Sequence, residues 1–140
     1  MNKTTKELEN ILKSTHPDAL DKYLDNEKDN MIENDFEVYF KDCLKKKDLF
    51  LHTVFLRSDI SEGYGYKLLS GQKHTNNRNL IIKLCYVSYF DINETNRALI
   101  LYGMSPLYAR IKDDAAIISL FNKKNRDSDD FDNFVKNIID

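Results

Sequence analysis

The sequence predicts an all-α fold, and three features of its 140 residues predict it. Only four Gly and two Pro are present, too few for the tight turns of a sandwich or barrel of this length. Apolar residues recur at spacings of three and four and nowhere alternate cleanly, which is the period of a helix and not of a strand. Finally, 41% of the residues are hydrophobic, and 23 acids are nearly balanced by 21 bases. Such a chain buries a core instead of remaining disordered.

The elements follow in order. Leu8, Ile11 and Leu12 mark an amphipathic helix over 6–13, interrupted at Ser14-Thr15-His16-Pro17. Pro17 fits the first turn of a second helix with Thr15 or His16 just before it and the stripe Leu20, Tyr23, Leu24. His16-Pro17-Asp18 therefore reads as a helix start. Residues 25–35 are polar enough for a linker or a frayed helix end. Phe36, Tyr39, Phe40, Cys43 and Leu44 mark a strong helix ending in Lys45-Lys46-Lys47, where cations favour a helix C-terminus.

Leu51, Val54 and Phe55 define a short helix closing near Ser58. Ser61 caps the next, with Tyr64, Leu68 and Leu69 as its stripe and Gly71 as its stop. After a polar stretch, Leu80, Ile81, Leu84, Cys85 and Val87 describe a helix apolar over much of its surface and hence central. Asp91 to Asn93 open a helix that runs to Tyr102 and ends at Gly103. Ser105-Pro106 breaks the chain, and a last long helix is expected over 109–121 with Ile111, Ala115, Ile118 and Leu120 or Phe121 inside. Phe131, Phe134, Val135, Ile138 and Ile139 give an amphipathic C-terminal helix beyond an acidic hinge. No internal repeat is legible. The expected organisation is an N-terminal helical extension over 1–35, a bundle over 36–121, and a hinge with its helix over 122–140.

Charge is unevenly spread. Residues 1–48 carry nine bases and twelve acids, 49–126 eleven and six, and 127–140 one and five. A positive middle between negative ends points to an anionic partner for the middle. Chemistry is not expected. His16, His52 and His74 lack the neighbours of a metal set, no Gly-rich phosphate loop precedes Lys-Ser or Lys-Thr, and Asp127, Asp129, Asp130 and Asp132 lack the Gly and Glu of a calcium loop. Asp113-Asp114 reads as dipole compensation at a helix start. Cys43 and Cys85 stand apart, without the two-residue spacing of a redox or zinc pair. No cofactor, no metal and no membrane span are expected, and the chain reads as cytoplasmic.

Residues 49–71 read LFLHTVFLRSDISEGYGYKLLSG. Val54 would be the buried residue of a first helix, Ile60 an apolar plug after the turn, Ser61 the cap of a second helix and Gly71 its end, with Gln72-Lys73-His74-Thr75 as a polar loop. This pattern resembles the helix-turn-helix of the lambda-repressor-like family of DNA-binding domains. The resemblance covers 36–103 if the flanking helices are counted as the family's first, fourth and fifth. It implies sequence-selective binding of double-stranded DNA and transcriptional regulation. Glu62, Tyr64 and Lys67 would face base edges, and Arg57, Lys73, His74, Thr75, Asn77 and Arg78 would hold phosphates. A palindromic site would require a homodimer, and Leu8, Ile11 and Leu12 or Phe131, Phe134 and Ile138 either supply its faces or pack back on their own bundle.

The chain departs from the family pattern in instructive places. Phe55 stands where the family has a small Ala, Asp59 where it has Gly, Gly65 where it has a β-branched core residue, and Leu51 where it often has Gln. Phe55 and Gly65 face each other in that motif, so the ring is expected to fill the space of the missing side chain. Asp59 tolerates a left-handed turn better than most residues. Glu62 accepts only from cytosine and repels phosphate, while Tyr64 and Tyr66, two apart, cannot share a helix face, so one belongs to the core. A second reading is therefore open: a protein–protein interaction module or adaptor on a retained helix-turn-helix scaffold. An exposed apolar patch of Tyr64, Tyr66 and Leu69 favours a protein partner; basic groups ringing an exposed Lys67 favour DNA.

Overall fold

The computed structural model describes residues 3–26 and 34–139, and the chain divides into two compact units, Met1–Glu33 and Asn34–Asp140. All regular structure among the described residues is helical, as the periodicity predicts. In the first unit, α1 (Thr5–Lys13) opens on Thr4, whose side chain accepts from the Glu7 N–H. Thr15 Oγ1 donates to the Ile11 carbonyl at 2.7 Å beyond its end. A 3-10 turn over Pro17–Ala19 follows, with His16 Nδ1 accepting from the Asp18 N–H, and leads into α2 (Leu20–Asn26). Of the stretch read as a linker, residues 27–33 lie outside the described residues.

The second unit holds α3 (Asp35–Lys46), α4 (Leu51–Arg57), α5 (Glu62–Ser70), α6 (Arg78–Val87), α7 (Ile92–Tyr102), α8 (Lys112–Leu120) and α9 (Ser128–Ile139). As expected, α6 is central: Ile81, Ile82, Leu84, Cys85, Tyr86 and Val87 are all buried, and α6 packs against α4, α7 and α9. On α3, Phe36 and Phe40 enter the same core, with α5 and α7 as packing neighbours. Among the described residues, no helix is long and apolar enough to cross a membrane.

Three turns share one construction. Asp48, Asp59 and Tyr89 adopt left-handed φ values of 56°, 60° and 60°. The apolar residue after each, Leu49, Ile60 or Phe90, donates its N–H to the carbonyl five residues back, Leu44, Phe55 or Cys85, at 3.0, 3.2 and 3.1 Å. This satisfies carbonyls at the helix end and plants an apolar side chain against the last turn. The α4/α5 and α6/α7 hairpins match further. Ser58 Oγ donates to the Val54 carbonyl and Ser88 Oγ to that of Leu84, both buried, at 2.7 and 2.6 Å. Ser61 and Asp91 then cap the following helices. Residues 54–69 and 84–99 thus repeat one hairpin in the backbone, although no repeat is legible in the sequence. Only Ser58/Ser88 and Leu69/Leu99 are identical between them, so the repetition lives in backbone and burial.

Two expectations for the C-terminal half are corrected. The helix expected from 109 begins at Lys112; Ile111 is its exposed N-cap, Ala115 is exposed, and Asp114, Ile117 and Leu120 face inward, followed by a buried Phe121. The cause is a tether. Arg78 donates to the carbonyls of Ser105 and Pro106 at 3.0 and 2.9 Å, and Asp114 Oδ2 accepts from the Tyr108 N–H at 2.9 Å. A turn closed by the Ile111 N–H on the Tyr108 carbonyl at 3.0 Å follows and delays the helix to Lys112, and the grip of Arg78 on Asp114 turns 114, 117 and 120 inward. Nor is α9 a separate extension. Phe131 is buried in the main core, and Phe134, Val135 and Ile138 pack on it, so 122–140 belongs to the same unit. The face offered for dimerisation by Phe131, Phe134 and Ile138 is spent on this core.

Candidate functional site

The outward face of α5 is set by its cap and its glycines. Ser61 Oγ accepts from the Tyr64 N–H at 3.2 Å, and Gly71, at φ 80°, ends the helix. Glu62, Gly63, Tyr66, Lys67 and Ser70 are exposed, while Gly65, Leu68 and Leu69 are buried and Tyr64 is half-buried against the core. Of the side chains expected at base edges, Glu62 and Lys67 point outward. Tyr64 does not, and Tyr66 takes that place because the inward face follows positions 64, 65, 68 and 69.

Gly65 has its place for a geometric reason. A Cβ there would lie 2.6 Å from Phe55 Cδ1 and Cε1 and 2.7 Å from Cγ, so the Phe55 ring occupies the missing side chain's space, as the exchange of sizes predicts. Tyr66 then stands edge-on to the same ring, with centroids 5.2 Å apart and an interplanar angle of 80°. The two departures from the family pattern therefore form one packing unit beneath the outward tyrosine.

Of the six residues expected at phosphates, Thr75, Asn77 and Arg78 are hydrogen-bonded within the fold, while Arg57, Lys73 and His74 are exposed. Arg78 Nη1 and Nη2 grip Asp114 at 2.8 and 3.0 Å in addition to the two carbonyls above. Its guanidinium is satisfied, and Arg78 is withdrawn from the phosphate set. The hydrogen bonds from Arg78 hold the Asp114 carboxyl below the usual carboxylate range against the opposing effect of burial. Asp114 is thus a buried ion-pair partner and not a solvated dipole compensator. Thr75 donates its N–H to Tyr102 Oη at 2.9 Å and accepts from the Asn77 N–H at 3.1 Å, and Asn77 Oδ1 caps α6 through the Leu80 N–H at 3.2 Å. His74 stacks on Tyr102 with centroids 4.5 Å apart. Arg57 is exposed with its guanidinium carbon 6.0 Å from the centre of the Tyr89 ring. Lys67 and Lys73 are exposed and carry no ion pair among the described residues.

Beside Tyr66 lies a feature that sequence reasoning missed. A groove of about 460 Å³ runs between the end of α3 and the start of α4, lined by Leu44, Leu49, Phe50, Leu51 and Tyr66 and edged by Lys41, Lys45, Asp48 and His52. Phe50 is the N-cap of α4, makes no side-chain cap bond, and is 68% exposed. An N-cap is ordinarily a short polar residue, so a phenyl ring there was the legible signal. The His52 ring stacks on it at 6.0 Å. One turn beyond His52, Leu56 is 79% exposed, and Tyr66 is 47% exposed.

A larger cleft of about 640 Å³ lies by Arg78, Tyr108, Ile111, Asp114 and α9 residues Val135 and Ile138, but its central charges already satisfy each other. No family model matches the chain, and neither a curated protein nor a solved structure does.

Proposed function

We propose that the chain is a protein–protein interaction module whose docking face is built on α4, its preceding residue Phe50, and the outward side of α5. The patch of Tyr64, Tyr66 and Leu69 does not form, because Leu69 is buried and Tyr64 packs against the core. The observation that carries this reading is instead the set of bulky apolar side chains left in water from Phe50 to Tyr66, namely Phe50, Leu56 and Tyr66. Aromatic and aliphatic anchors beside a concave surface are what protein partners use, and a monomer gains nothing by hydrating them. The order and packing of α3 to α7 suit a helix-turn-helix scaffold of the lambda-repressor-like kind, retained without its reading surface. Glu62 at the start of α5, the absence of a side chain at Gly63, and the internal engagement of Arg78, Thr75 and Asn77 all weigh against sequence-selective DNA binding and transcriptional regulation. Cys43 and Cys85, both free and buried, suit a reducing, cytoplasmic setting.

The test sets the two readings against each other. Fluorescence anisotropy of a mixed-sequence duplex pool across a salt series is expected to give no binding at physiological salt. Selection of displayed peptides on the immobilised chain is expected to enrich ligands that a Phe50→Ala, Leu56→Ala variant fails to retain. Duplex binding that falls steeply with salt and is lost on Lys67→Ala with Lys73→Ala would transfer the assignment to DNA.

A further inference from the structure

Resting on that reading, we infer that the Phe50 groove takes an acidic peptide segment carrying one bulky apolar anchor. The interior fixes the anchor. Leu44 is buried at its base, Leu49 and Leu51 are half-buried, and the rings of Phe50 and Tyr66 stand at its sides. Its volume of about 460 Å³ falls within the range of pockets that enclose small ligands, roughly 300 to 1,000 Å³. An aromatic or Leu side chain would be removed from water there, whereas a charged one would be left unpaired.

The rim fixes the charge. Lys41 and Lys45 lie one turn apart on α3, both exposed. Of the three consecutive lysines that follow Leu44, only Lys47 is paired among the described residues, at 2.9 and 3.0 Å from the Glu94 carboxylate. Lys45 and Lys46 remain exposed and unpaired. Lys41 has Glu37 at 3.6 Å on its own helix, an exposed contact that a ligand displaces at small cost. Among the described residues that line the groove, Asp48 is the one acid. The partial negative charge of the α3 C-terminus offsets some of this field, so the lysines select by direct contact with flanking carboxylates. A basic ligand would meet lysines on the α3 side of the groove, and a neutral one would leave them unused.

The peptide selection on the full chain is therefore expected to enrich Phe, Leu or Trp flanked by Asp or Glu. Two synthetic peptides then share one Phe anchor, flanked by Glu in one and by Lys in the other, and are titrated by fluorescence polarisation. The Glu peptide should bind roughly tenfold tighter, the factor expected from two rim ion pairs. Lys41→Glu with Lys45→Glu should reverse the preference at unchanged helicity, and Phe50→Ala should abolish both complexes. Equal binding of the two peptides, or a preference that survives the reversal, overturns the acidic assignment and leaves the docking face standing. Failure of any peptide to be enriched, with no binding of either synthetic one, removes the docking reading as well.

Discussion

Gly63 and Gly65 sit two positions apart in α5 and meet opposite surroundings. A Cβ at Gly63 meets nothing within 4 Å, while one at Gly65 runs into the Phe55 ring at 2.6 Å. Gly63→Ala should therefore stabilise by up to about 1 kcal/mol, since only backbone entropy and helix propensity change. Gly65→Val should destabilise by about 2 kcal/mol, because the ring must move within a filled core. Urea unfolding of the two variants beside the parent checks the signs, and a Gly65→Val protein with an unchanged midpoint would sink the packing account. The pairing of Phe55 with Gly65 was legible in sequence because two size departures fell at facing positions of one motif. The choice between Tyr64 and Tyr66 was legible in the periodicity alone: the stripe Tyr64, Leu68, Leu69 turns Tyr64 inward, and only the helix-turn-helix resemblance sent it to base edges.

At the scale of elements, caps and stops were the most readable features, because each is a local solution for orphaned backbone groups. Ser61, Asp91, Gly71 and Gly103 all stand where expected. The inward face of α8 was not readable, since Asp114 is drawn inward by Arg78, more than thirty residues upstream, and the local run of apolar residues points elsewhere. That tether has a pH signature. With the Asp114 carboxyl held below its usual range by Arg78, its contribution is fully present above the unfolded value of about 3.9. It is lost as pH falls through the lower folded value. Arg78→Ala leaves a buried carboxylate without its cation, which should cost about 3 kcal/mol at neutral pH. It should also remove the Asp114 part of the acid destabilisation. Urea midpoints from pH 7 down to about pH 2 report both, and parallel curves for parent and variant would refute the coupling.

For the molecule as a whole, α8 and α9 are joined to the hairpins before them by the Arg78–Asp114 pair, by the buried Phe131 and by a residue in the segment that reads as an acidic hinge. Arg126 donates to the carbonyls of Tyr86 at 3.2 Å, Phe90 at 2.8 Å and Phe121 at 2.7 Å. Its guanidinium carbon also lies 5.1 to 5.3 Å from the ring centres of Tyr86, Tyr89 and Phe121. The planar fork thus closes the C-terminal end of α6 and that of α8 together, where helix dipoles favour a cation. Arg126 Nε also donates to the Lys123 carbonyl at 3.3 Å; no local pattern marks such a residue, because two of its four acceptors, the Tyr86 and Phe90 carbonyls, come within reach only after folding. Arg126→Met keeps the length and removes the donor from the Phe90 and Phe121 carbonyls, while that of Tyr86 keeps the Tyr89 N–H at 3.1 Å, so it should destabilise by about 3 kcal/mol. Arg126→Lys should recover little of this, as a single ammonium cannot reach three acceptors in fork geometry. Tyr86→Phe is the control within the same cluster: its buried hydroxyl has no hydrogen-bond partner among the described residues, so its removal should be neutral or stabilising. Hydrogen exchange should show α9 amides losing protection first in Arg126→Met. Full rescue by Lys would mean that charge alone holds α9 in place, and undiminished protection would mean that the buried Phe131 suffices without the arginine.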